Sequence, residues 1–471
     1  MSNTERVVNP VYEEIPKIEV NDLIKIFDCK SDLMVLHSSK EMDDCGRYSF
    51  VCFDRFSHFS SKGSESRWNN RIIKSDSPFN FISNKIKEFS IKKVPSLPPL
   101  QCGVVGYFGY EASHYLEELP HVIDNIKLPD IYLNFYGTTI SVDHKLNKCW
   151  IVSTGFPEDD DLKRIKKAEE NILNIKKYIV EKTTNLNHEC KYDFVGKHHI
   201  SSNFDQKSYV NAVIATKKYI LEGDIYEANF TQQFKTKISD KTNLLNLYFS
   251  LMEHNPAPFS AFLRIQDGGC IVSASPERFI KLAGEVLEAC PIKGTRKRSA
   301  DLIEDKKLAD ELVNSEKDRS ENIMIVDLMR NDLSRVCKPK TVQVHELCSL
   351  KSFHTVHHLV SKITGELKNS LSAMDIIEST FPPGSVTGAP KIRSMEIISE
   401  LEGEQRGPYC GCIGYISFSG DMDMSVVIRT YFINKEKLFF SAGGAVVNDS
   451  DPEDEYEESL IKANALMEVL S

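Results

Sequence analysis

Three features are missing from this sequence of 471 residues. The N-terminal segment MSNTERVVNPVYEEIPKIEV has no apolar core of a secretion signal. No stretch approaches the roughly 18 to 20 apolar residues that span a bilayer. A surplus of positive charge, which phosphate contacts require, is also missing, because the formal net charge is -10. We therefore expect a cytoplasmic protein whose partners are small molecules or other proteins, not nucleic acid or a membrane.

Paired cysteine motifs are missing as well. The twelve cysteines are scattered without a CxxC motif, which supports neither a zinc site nor a disulfide framework. Cys410 and Cys412, in YCGCIGY, lie close together. A nucleophilic cysteine is one interpretation of this pair, but the alternating run GCIGYISFS is typical of a β-strand. We favour reduced, buried, structural cysteines.

Strand-like and helix-like segments are grouped along the chain. Residues 1 to about 150 are predicted to be β-rich, with a hairpin around HKLNK. An amphipathic helix is predicted from Glu158 to about Thr183, followed by a polar linker. The next helix is predicted over DQKSYVNAVIATKKYILEGDIYEANF, and three strands and a final helix follow Gly411. This grouping indicates an α+β fold with mainly antiparallel sheets, divided into residues 1–195 and 196–471.

The segment SASPERFIKLAGEVLEACPIKGT predicts two strands joined by a turn at Gly284. In such a hairpin the residue numbers of each directly opposed pair add up to the same value, here about 568 to 570. Lys293 is therefore predicted to lie opposite Ser275 or Pro276 and one step from Glu277. Directly opposed Cβ atoms are about 5 Å apart and diagonal ones about 7 to 8 Å. The amine and the carboxylate therefore converge, either as a salt bridge or as a catalytic pair.

A nucleophilic role for Lys293 requires a lowered pKa. An ordinary lysine, with a pKa of about 10.4, is almost entirely protonated at pH 7. Apolar Pro291 and Ile292 are expected to lower this pKa, as is the basic run of residues 296–298 if it folds back. The alternative is that the basic run faces water.

Carboxylates on two predicted helices form a second candidate group. Glu321 lies at the edge of an apolar stripe, and Glu455, Glu458 and Lys462 share one side of the final helix. Ordinary surface stabilisation explains an i,i+4 pair of Glu and Lys. The alternative is a Mg²⁺ site, since Mg²⁺ prefers a few carboxylates and keeps waters for substrate oxygens.

Two glycine-rich segments offer backbone amides to an anion. PPGSVTGAPKIRSMEII is a turn that leads into a helix, with Lys391 nearby, and SAGGAVV covers residues 441–447. Neither contains GxxxxGK[ST], so nucleotide binding is not predicted.

Eight segments, in chain order, resemble the chorismate-binding enzymes. They are SASPERF, ACPIKGTRKR, SEKDRSENIMIVDLMRNDLSRV, FHTVHHLV, PPGSVTGAPKIRSMEII, YCGCIGYISF, VIRT and SAGGAVV. EGDIYEANFTQ, NPAPFSAFLR and, less closely, GVVGYFGYEA and VLHSS extend the resemblance over nearly the whole chain. The resemblance implies large antiparallel sheets packed as a sandwich with helices on the outside.

Within this family the chain is most similar to the members that aminate chorismate at C4, because anthranilate-forming members typically have Ala at the position of Lys293. The resemblance implies that Lys293 attacks C2 of chorismate and expels the C4 hydroxyl, which Glu277 protonates. Ammonia then attacks C4 and releases the lysine. The implied product is 4-amino-4-deoxychorismate, for p-aminobenzoate and folate synthesis.

The resemblance also implies three sets of binding residues. The ligands implied for Mg²⁺ are Glu321, Glu455 and Glu458. The substrate-binding positions are Thr295, His358, Ser385, Tyr409, Arg429, Gly443 and Gly444, and we add Lys462 beside Glu458. An effector pocket for an aromatic amino acid, usually tryptophan as a regulator or as a structural element, is implied at Ser38, Arg47, Tyr48, Pro258, Phe259, Ser260 and Ala261. Two departures from the family pattern, Pro383 and Ala445, remove no catalytic group.

Partners and alternatives follow from the same resemblance. No glutaminase segment or lyase domain is recognised, so we expect ammonia from a separate glutamine amidotransferase subunit and pyruvate elimination by another enzyme. The first alternative is an anthranilate-forming enzyme, which Lys293 disfavours. The second is a non-catalytic sensor of aromatic amino acids that partners an amidotransferase, which has no need for Glu277, Lys293, Glu321 and Glu458 together.

Overall fold

Two antiparallel β-sheets of twelve strands each form the centre of the fold. The computed structural model describes residues 8–40, 45–75, 77–184, 199–239, 242–352 and 356–470, and within these ranges the chain forms ten α-helices and 24 strands. The helices are α1 Val20–Ile26, α2 Pro78–Glu88, α3 Asp161–Thr183, α4 Gln206–Leu221, α5 Leu244–His254, α6 Leu302–Asn314, α7 Glu316–Val336, α8 Ala373–Thr380, α9 Lys391–Glu402 and α10 Pro452–Met467.

The strands are short for the most part. In chain order they are β1 Val11–Ile15, β2 Met34–His37, β3 Tyr48–Cys52, β4 Ser57–Lys62, β5 Glu65–Trp68, β6 Arg71–Ile73, β7 Gly103–Phe108, β8 Ile131–Tyr136, β9 Thr138–Asp143, β10 Lys148–Ser153, β11 Ser201–Ser202, β12 Glu227–Lys237, β13 Phe259–Ile265, β14 Gly269–Ser275, β15 Arg278–Ala283, β16 Val286–Ala289, β17 Ile292–Lys297, β18 Gln343–Ser352, β19 Val356–Glu366, β20 Gly388–Ala389, β21 Cys412–Ser417, β22 Met422–Val426, β23 Thr430–Asn434 and β24 Lys437–Val446.

The first sheet has the order β1-β10-β9-β3-β2-β13-β14-β23-β24-β12-β11, with β20 beside β12. The second sheet has the order β17-β19-β16-β15-β22-β21-β7-β8-β4-β5-β6, with β18 beside β19. Their facing side chains meet, as in the pair of Phe50 and Tyr415, whose ring centroids are 5.3 Å apart. The α+β prediction of large antiparallel sheets is confirmed.

Alternating side chains give the first sheet two apolar faces. Phe50 and Cys52 of β3 belong to the core between the sheets, whereas Val51 between them belongs to the core beneath the helices. Residues of α1, α3, α5 and α10 fill that second core. The final helix is therefore fixed against the first sheet, which determines where its carboxylates lie.

The predicted boundary between residues 195 and 196 lies outside the described residues. Each sheet contains strands from both sides of that boundary, since β1, β2, β3, β9 and β10 join β12, β13, β14, β23 and β24 in the first sheet. In the described part of the chain, no helix combines the length and the apolar character needed to cross a membrane.

Three local predictions differ from the structure. The helix predicted through EGDIYEANF ends at Leu221, and Glu227 begins strand β12. Four strands, not three, lie between Gly411 and the last helix. The helix predicted from Glu158 begins at Asp161, because the side chain of Asp160 caps it.

Candidate active site

The hairpin that leads to Lys293 has the predicted register but ends early. Lys281 pairs with Glu288 and Leu282 with Leu287, which agrees with the predicted sums. Ser275, however, belongs to β14 in the first sheet, and the chain crosses to the second sheet before β15. Lys293 instead pairs with Leu359 of β19, so its predicted position opposite Ser275 or Pro276 is wrong.

Lys293 forms an ion pair that joins the two sheets. Its Nζ lies 2.9 Å from Oε1 of Glu227, at the start of β12. The Glu227 side chain is 0% exposed and that of Lys293 is 11% exposed. The amine therefore has a buried carboxylate as its partner, while a small part of the Lys293 side chain stays accessible.

The predicted lowering of the Lys293 pKa is wrong. Burial disfavours the ammonium form, but the carboxylates of Glu227 and Glu321 outweigh burial, so the pKa of Lys293 lies above its ordinary value. The basic run cannot counter this effect because two of its members have acidic partners elsewhere. Arg296 pairs with Asp318 at 3.0 Å, and Arg298 pairs with Asp305 at 2.7 Å.

Glu277 lies where the chain crosses between the sheets. Its carboxyl is buried, and this burial raises its pKa to about 7, against smaller opposing effects of the Ser385 hydroxyl and the Lys293 amine. Ser385 belongs to the glycine-rich turn before β20. The structure thus brings Glu277, Lys293 and Ser385 together, and Glu277 is suited to both proton donation and acceptance near pH 7.

Thr295 and His358 are cross-strand partners on β17 and β19. The Thr295 hydroxyl lies 2.8 Å from Nδ1 of His358. Burial, and then the charge of Arg429, lower the pKa of His358 to about 4. His358 is therefore neutral at pH 7 and serves as a hydrogen-bonding group beside the guanidinium.

The Arg429 guanidinium has no side-chain partner in the described part of the chain. It forms no hydrogen bond or ion pair through its side chain with the residues that the structure describes. Its surface is accessible, yet the surrounding protein displaces enough water to lower its pKa. These two facts agree if the side chain lines a recess. An accessible arginine without a carboxylate partner among the described residues is suited to a carboxylate of a ligand.

Gly444 lies against two carboxylates of α10. A Cβ at Gly444 would lie 2.9 Å from Oε2 of Glu455 and 3.2 Å from Oε1 of Glu458. Lys462 contacts Glu458 at 2.6 Å and donates to the carbonyl of Gly443 at 3.0 Å. The predicted helical face and the predicted glycine segment therefore meet.

The carboxylates differ in their electrostatics. Burial raises the pKa of Glu321 to about 7 and also raises the pKa of Glu455. Burial has the same effect on Glu458, but the Lys462 ammonium outweighs it and the pKa of Glu458 is lowered. Lys317, a residue that the sequence did not single out, lies 3.7 Å from Glu455.

The carboxylates are the right kind of ligand for a magnesium ion, but they do not form a complete ligand shell around one. Oε2 of Glu455 is buried without a hydrogen-bond partner among the described residues, and carboxylate oxygen is the ligand type that Mg²⁺ prefers. No group of three or more His, Cys, Asp or Glu side chains in the described ranges is arranged as metal ligands. The site therefore suits an ion that keeps several waters or substrate oxygens.

Tyr409 is a predicted substrate-binding residue for which the structure gives no interaction with the other predicted site residues among those described. Its side chain is 5% exposed, and burial raises its pKa. The titratable groups that act on it are Cys410, Arg406 and Glu402, and not the predicted site residues. Cys410 and Cys412 are buried, and burial raises the pKa of Cys410 to about 12, as expected for structural cysteines.

Sequence reasoning missed Glu227 because it assigned EGDIYEANF to a helix. An acidic residue at the start of a strand whose first eight residues are all buried is a usable signal, since a buried charge requires a partner. The sequence does not predict which residue that partner is, because the ion pair joins strands from different sheets.

Comparison with known proteins identifies the family of the chain. Residues 35–468 match the chorismate binding enzyme family. The chain belongs to this family. It is 37% identical over 442 residues to aminodeoxychorismate synthase component 1 of Escherichia coli strain K12, with 93% of each chain covered. It is 34% identical over 473 residues to anthranilate synthase component 1 of Aquifex aeolicus, with 98% of this chain and 94% of the relative covered.

The fold agrees with this assignment. The crystal structure of anthranilate synthase component I from Streptococcus pneumoniae TIGR4 matches with a TM-score of 0.76 at 28% identity, covering 90% of this chain and 92% of that chain. The predicted resemblance to chorismate-binding enzymes is confirmed, and the chain is an enzyme that acts on chorismate.

This chorismate-binding enzyme has a cavity of about 640 Å³ between the two sheets. Ser38 lines this cavity, and its hydroxyl donates to the carbonyls of Tyr48 and Pro258 at 2.7 and 3.2 Å. Arg47 pairs with Asp143 and lies over the Tyr48 ring. All seven predicted effector residues line this cavity: Ser38, Arg47, Tyr48, Pro258, Phe259, Ser260 and Ala261.

Proposed function

We propose that the enzyme aminates chorismate at C4 and forms 4-amino-4-deoxychorismate for p-aminobenzoate and folate synthesis. Relatives with 37% and 34% identity are named for two different products, so overall similarity does not choose between them. The observation that carries the proposal is the Lys293 amine, which lies between Glu227, Glu321 and Glu277 at the position where anthranilate-forming members typically have Ala.

In the proposed reaction, Lys293 forms a bond from its nitrogen to C2 of the ring. The two ring double bonds shift toward C4, and the bond from C4 to the hydroxyl breaks as Glu277 donates a proton to form water. Ammonia then attacks C4, the double bonds return, and the bond from C2 to lysine breaks. The Glu277 pKa of about 7 supports the exchange of a proton in each half of this cycle.

The binding residues have distinct roles in this proposal. Arg429 binds the enolpyruvyl carboxylate as a planar fork, with His358 and Thr295 nearby, and Tyr409 is a further substrate-binding position that we propose. Glu321, Glu455 and Glu458 are the carboxylates that we propose for Mg²⁺; because they are not arranged as a ligand group here, holding one ion would require their side chains to move together. The ion would supply positive charge to the ring carboxylate when bound. The remaining substrate-contacting positions that we propose are Ser385, Gly443, Gly444 and Lys462.

Two partners complete the proposal. The name component 1 of the relatives implies a second component in those proteins, and we infer that a glutamine amidotransferase subunit supplies ammonia here. The inter-sheet cavity is proposed to bind L-tryptophan, whose indole would pack against Tyr48 and Phe259 of the cavity lining. Titration calorimetry with tryptophan, and with Tyr48→Ala as the matched variant, tests the second idea, which saturable binding supports and the lack of it contradicts.

The central experiment incubates the purified chain with chorismate, Mg²⁺ and ammonium and identifies the product by chromatography and mass. We expect 4-amino-4-deoxychorismate and, without ammonium, an enzyme adduct with the added mass of chorismate less one water. Formation of anthranilate would replace the proposal by the alternative. Lys293→Ala tests the covalent mechanism independently of the identity of the product, because the variant forms no adduct if lysine is the nucleophile.

A further inference from the structure

Glu227 is the buried carboxylate that contacts the Lys293 amine. Its Oε1 is 2.9 Å from Nζ, and it is the single carboxylate of the described residues within 4.0 Å of this nitrogen. The other carboxylates that act on the amine are Glu277 before β15, Glu321 on α7 and Glu458 on α10. Because Glu227 has no exposed side-chain surface, it contacts the amine without occupying the accessible site.

The backbone holds Glu227 rigidly. The Ser394 hydroxyl donates to the Glu227 carbonyl at 2.9 Å, and β20 pairs with β12 at Ala389 and Glu227. A Cβ at Gly388 would lie 2.2 Å from the same carbonyl, so this close approach requires glycine. The turn that brings Ser385 to Glu277 therefore leads into the strand that fixes Glu227, the ion-pair partner of Lys293.

The proposed bond to C2 requires a lone pair on Lys293, which the ammonium form lacks. Burial disfavours the ammonium, but carboxylates outweigh this effect and hold the pKa of Lys293 above its ordinary value. A bound substrate displaces the water that would otherwise accept the proton. The site needs an acceptor within the protein, and an ion pair withdrawn from water loses part of its advantage over a neutral pair.

We propose that Glu227 is the general base that takes one proton from Lys293 as its nitrogen attacks the substrate. This inference rests on the proposed amination of chorismate. It adds a third catalytic residue to Lys293 and Glu277, and it assigns opposite proton transfers to the two carboxylates, Glu227 and Glu277.

The protons balance through the cycle. Lys293 gives one proton to Glu227 and uses the freed electron pair for the bond to C2, while Glu277 gives its proton to the departing hydroxyl. The adduct is a secondary ammonium, so lysine leaves as a neutral amine when ammonia attacks C4. Glu277 takes a proton from the new C4 ammonium, and Glu227 returns its proton to Lys293. Chorismate and ammonia give the amino product and water.

The test measures adduct formation in single turnovers without ammonia, by intact-protein mass, from pH 6 to 10. Glu227→Gln keeps the side-chain shape but cannot accept a proton, and Glu227→Asp keeps the carboxylate. We expect Glu227→Gln to slow adduct formation about 100-fold at pH 7. Relative to the wild-type rate, its rate should rise about tenfold per pH unit until the amine deprotonates, because loss of the Glu277 proton near pH 7 slows both proteins equally. Glu227→Asp should keep the wild-type pH profile at a lower rate.

Glu400→Gln is the matched control, because its exposed carboxylate contacts the Tyr219 hydroxyl on the surface. An unchanged rate in Glu227→Gln, or an equal loss at every pH, overturns the base assignment, since a positioning role does not recover with pH. Failure of the wild-type protein to form the adduct and the amino product contradicts the proposed function itself. A wild-type adduct with unchanged kinetics in Glu227→Gln contradicts Glu227 alone.

Discussion

Gly444 and Glu455 approach each other so closely that no side chain fits between them. A Cβ on Gly444 would lie 2.9 Å from Oε2 of Glu455, an oxygen that is buried without a hydrogen-bond partner among the described residues. The glycine thus leaves free the space in which this oxygen can contact a bound cation. The relationship ties the SAGGA segment to the carboxylates of the last helix.

Gly444→Ala is expected to weaken Mg²⁺ binding about tenfold or more, because the new Cβ displaces the carboxylates of Glu455 and Glu458. Titration of metal-free protein with Mg²⁺ by calorimetry measures this directly. Ala445→Gly is the control, since successive side chains of a strand point to opposite faces. Equal Mg²⁺ affinity in Gly444→Ala and the wild-type protein would contradict the assignment of this site.

Ser385→Ala is expected to move the alkaline limb of the activity profile to higher pH. Burial raises the pKa of Glu277 to about 7, and the Ser385 hydroxyl opposes this rise by stabilising the carboxylate. Loss of the hydroxyl raises the pKa further, so the protonated acid persists to higher pH. One hydrogen bond of about 1 kcal/mol corresponds to a change of about 0.7 pH unit.

The measurement is kcat against pH at a fixed concentration of free ammonia. Ser399→Ala is the control, because its hydroxyl donates to the Met395 carbonyl within α9. A limb that stays in place, or moves to lower pH, shows that Ser385 does not act on the catalytic acid.

Lys293→Met is expected to destabilise the fold by about 3 kcal/mol, because it leaves the buried Glu227 carboxylate without its partner. The double variant Lys293→Met, Glu227→Gln should recover part of this loss, since the amide carries no charge. Urea unfolding of the two single variants and the double variant measures the coupling.

Lys148→Met provides the surface comparison. Its partner Glu14 lies 2.8 Å away, and both side chains are about half exposed, so we expect a loss of at most about 1 kcal/mol. If the losses for Lys293→Met and Lys148→Met are equal, the ion pair between the sheets has no special structural role.

Local periodicity predicted the parts of the site that lie within one element. The turn at Gly284 fixed the register of the hairpin, and helical spacing grouped Glu458 with Lys462, which are 2.6 Å apart. These features depend on residues close in sequence, for which strand and helix geometry is sufficient. The family resemblance provided the chemistry.

Contacts between the sheets were beyond this reasoning. The strand continuing from Ala289 was expected to stay beside β15, but β17 pairs with β19, and Lys293 meets Glu227 from the other sheet. The direction of the Lys293 pKa followed from that unseen contact and was therefore predicted wrongly. Periodicity gives the face of a strand and not its partner across a sandwich.

Stability should fall with rising pH because of Glu111. Its carboxyl is buried, and this burial, with a smaller effect of Asp130, raises its pKa from 4.5 to about 8. Between these values the folded protein binds more protons than the unfolded chain, so the contribution of Glu111 is full below about pH 4.5 and is lost as pH rises through 8. Oε1 accepts from the Arg406 amide at 2.9 Å, an interaction that an uncharged side chain also supports.

Glu111→Gln removes the titrating group and keeps that acceptor. We expect its Tm to exceed the wild-type Tm at pH 8.5 by more than at pH 5, because at pH 5 the wild-type carboxyl is already neutral. Circular dichroism melts at both pH values measure the difference. Glu88→Gln, which alters an exposed pair with Lys85, should change Tm equally at both. A Glu111→Gln effect that is the same at pH 5 and pH 8.5 excludes Glu111 as the source of the pH dependence.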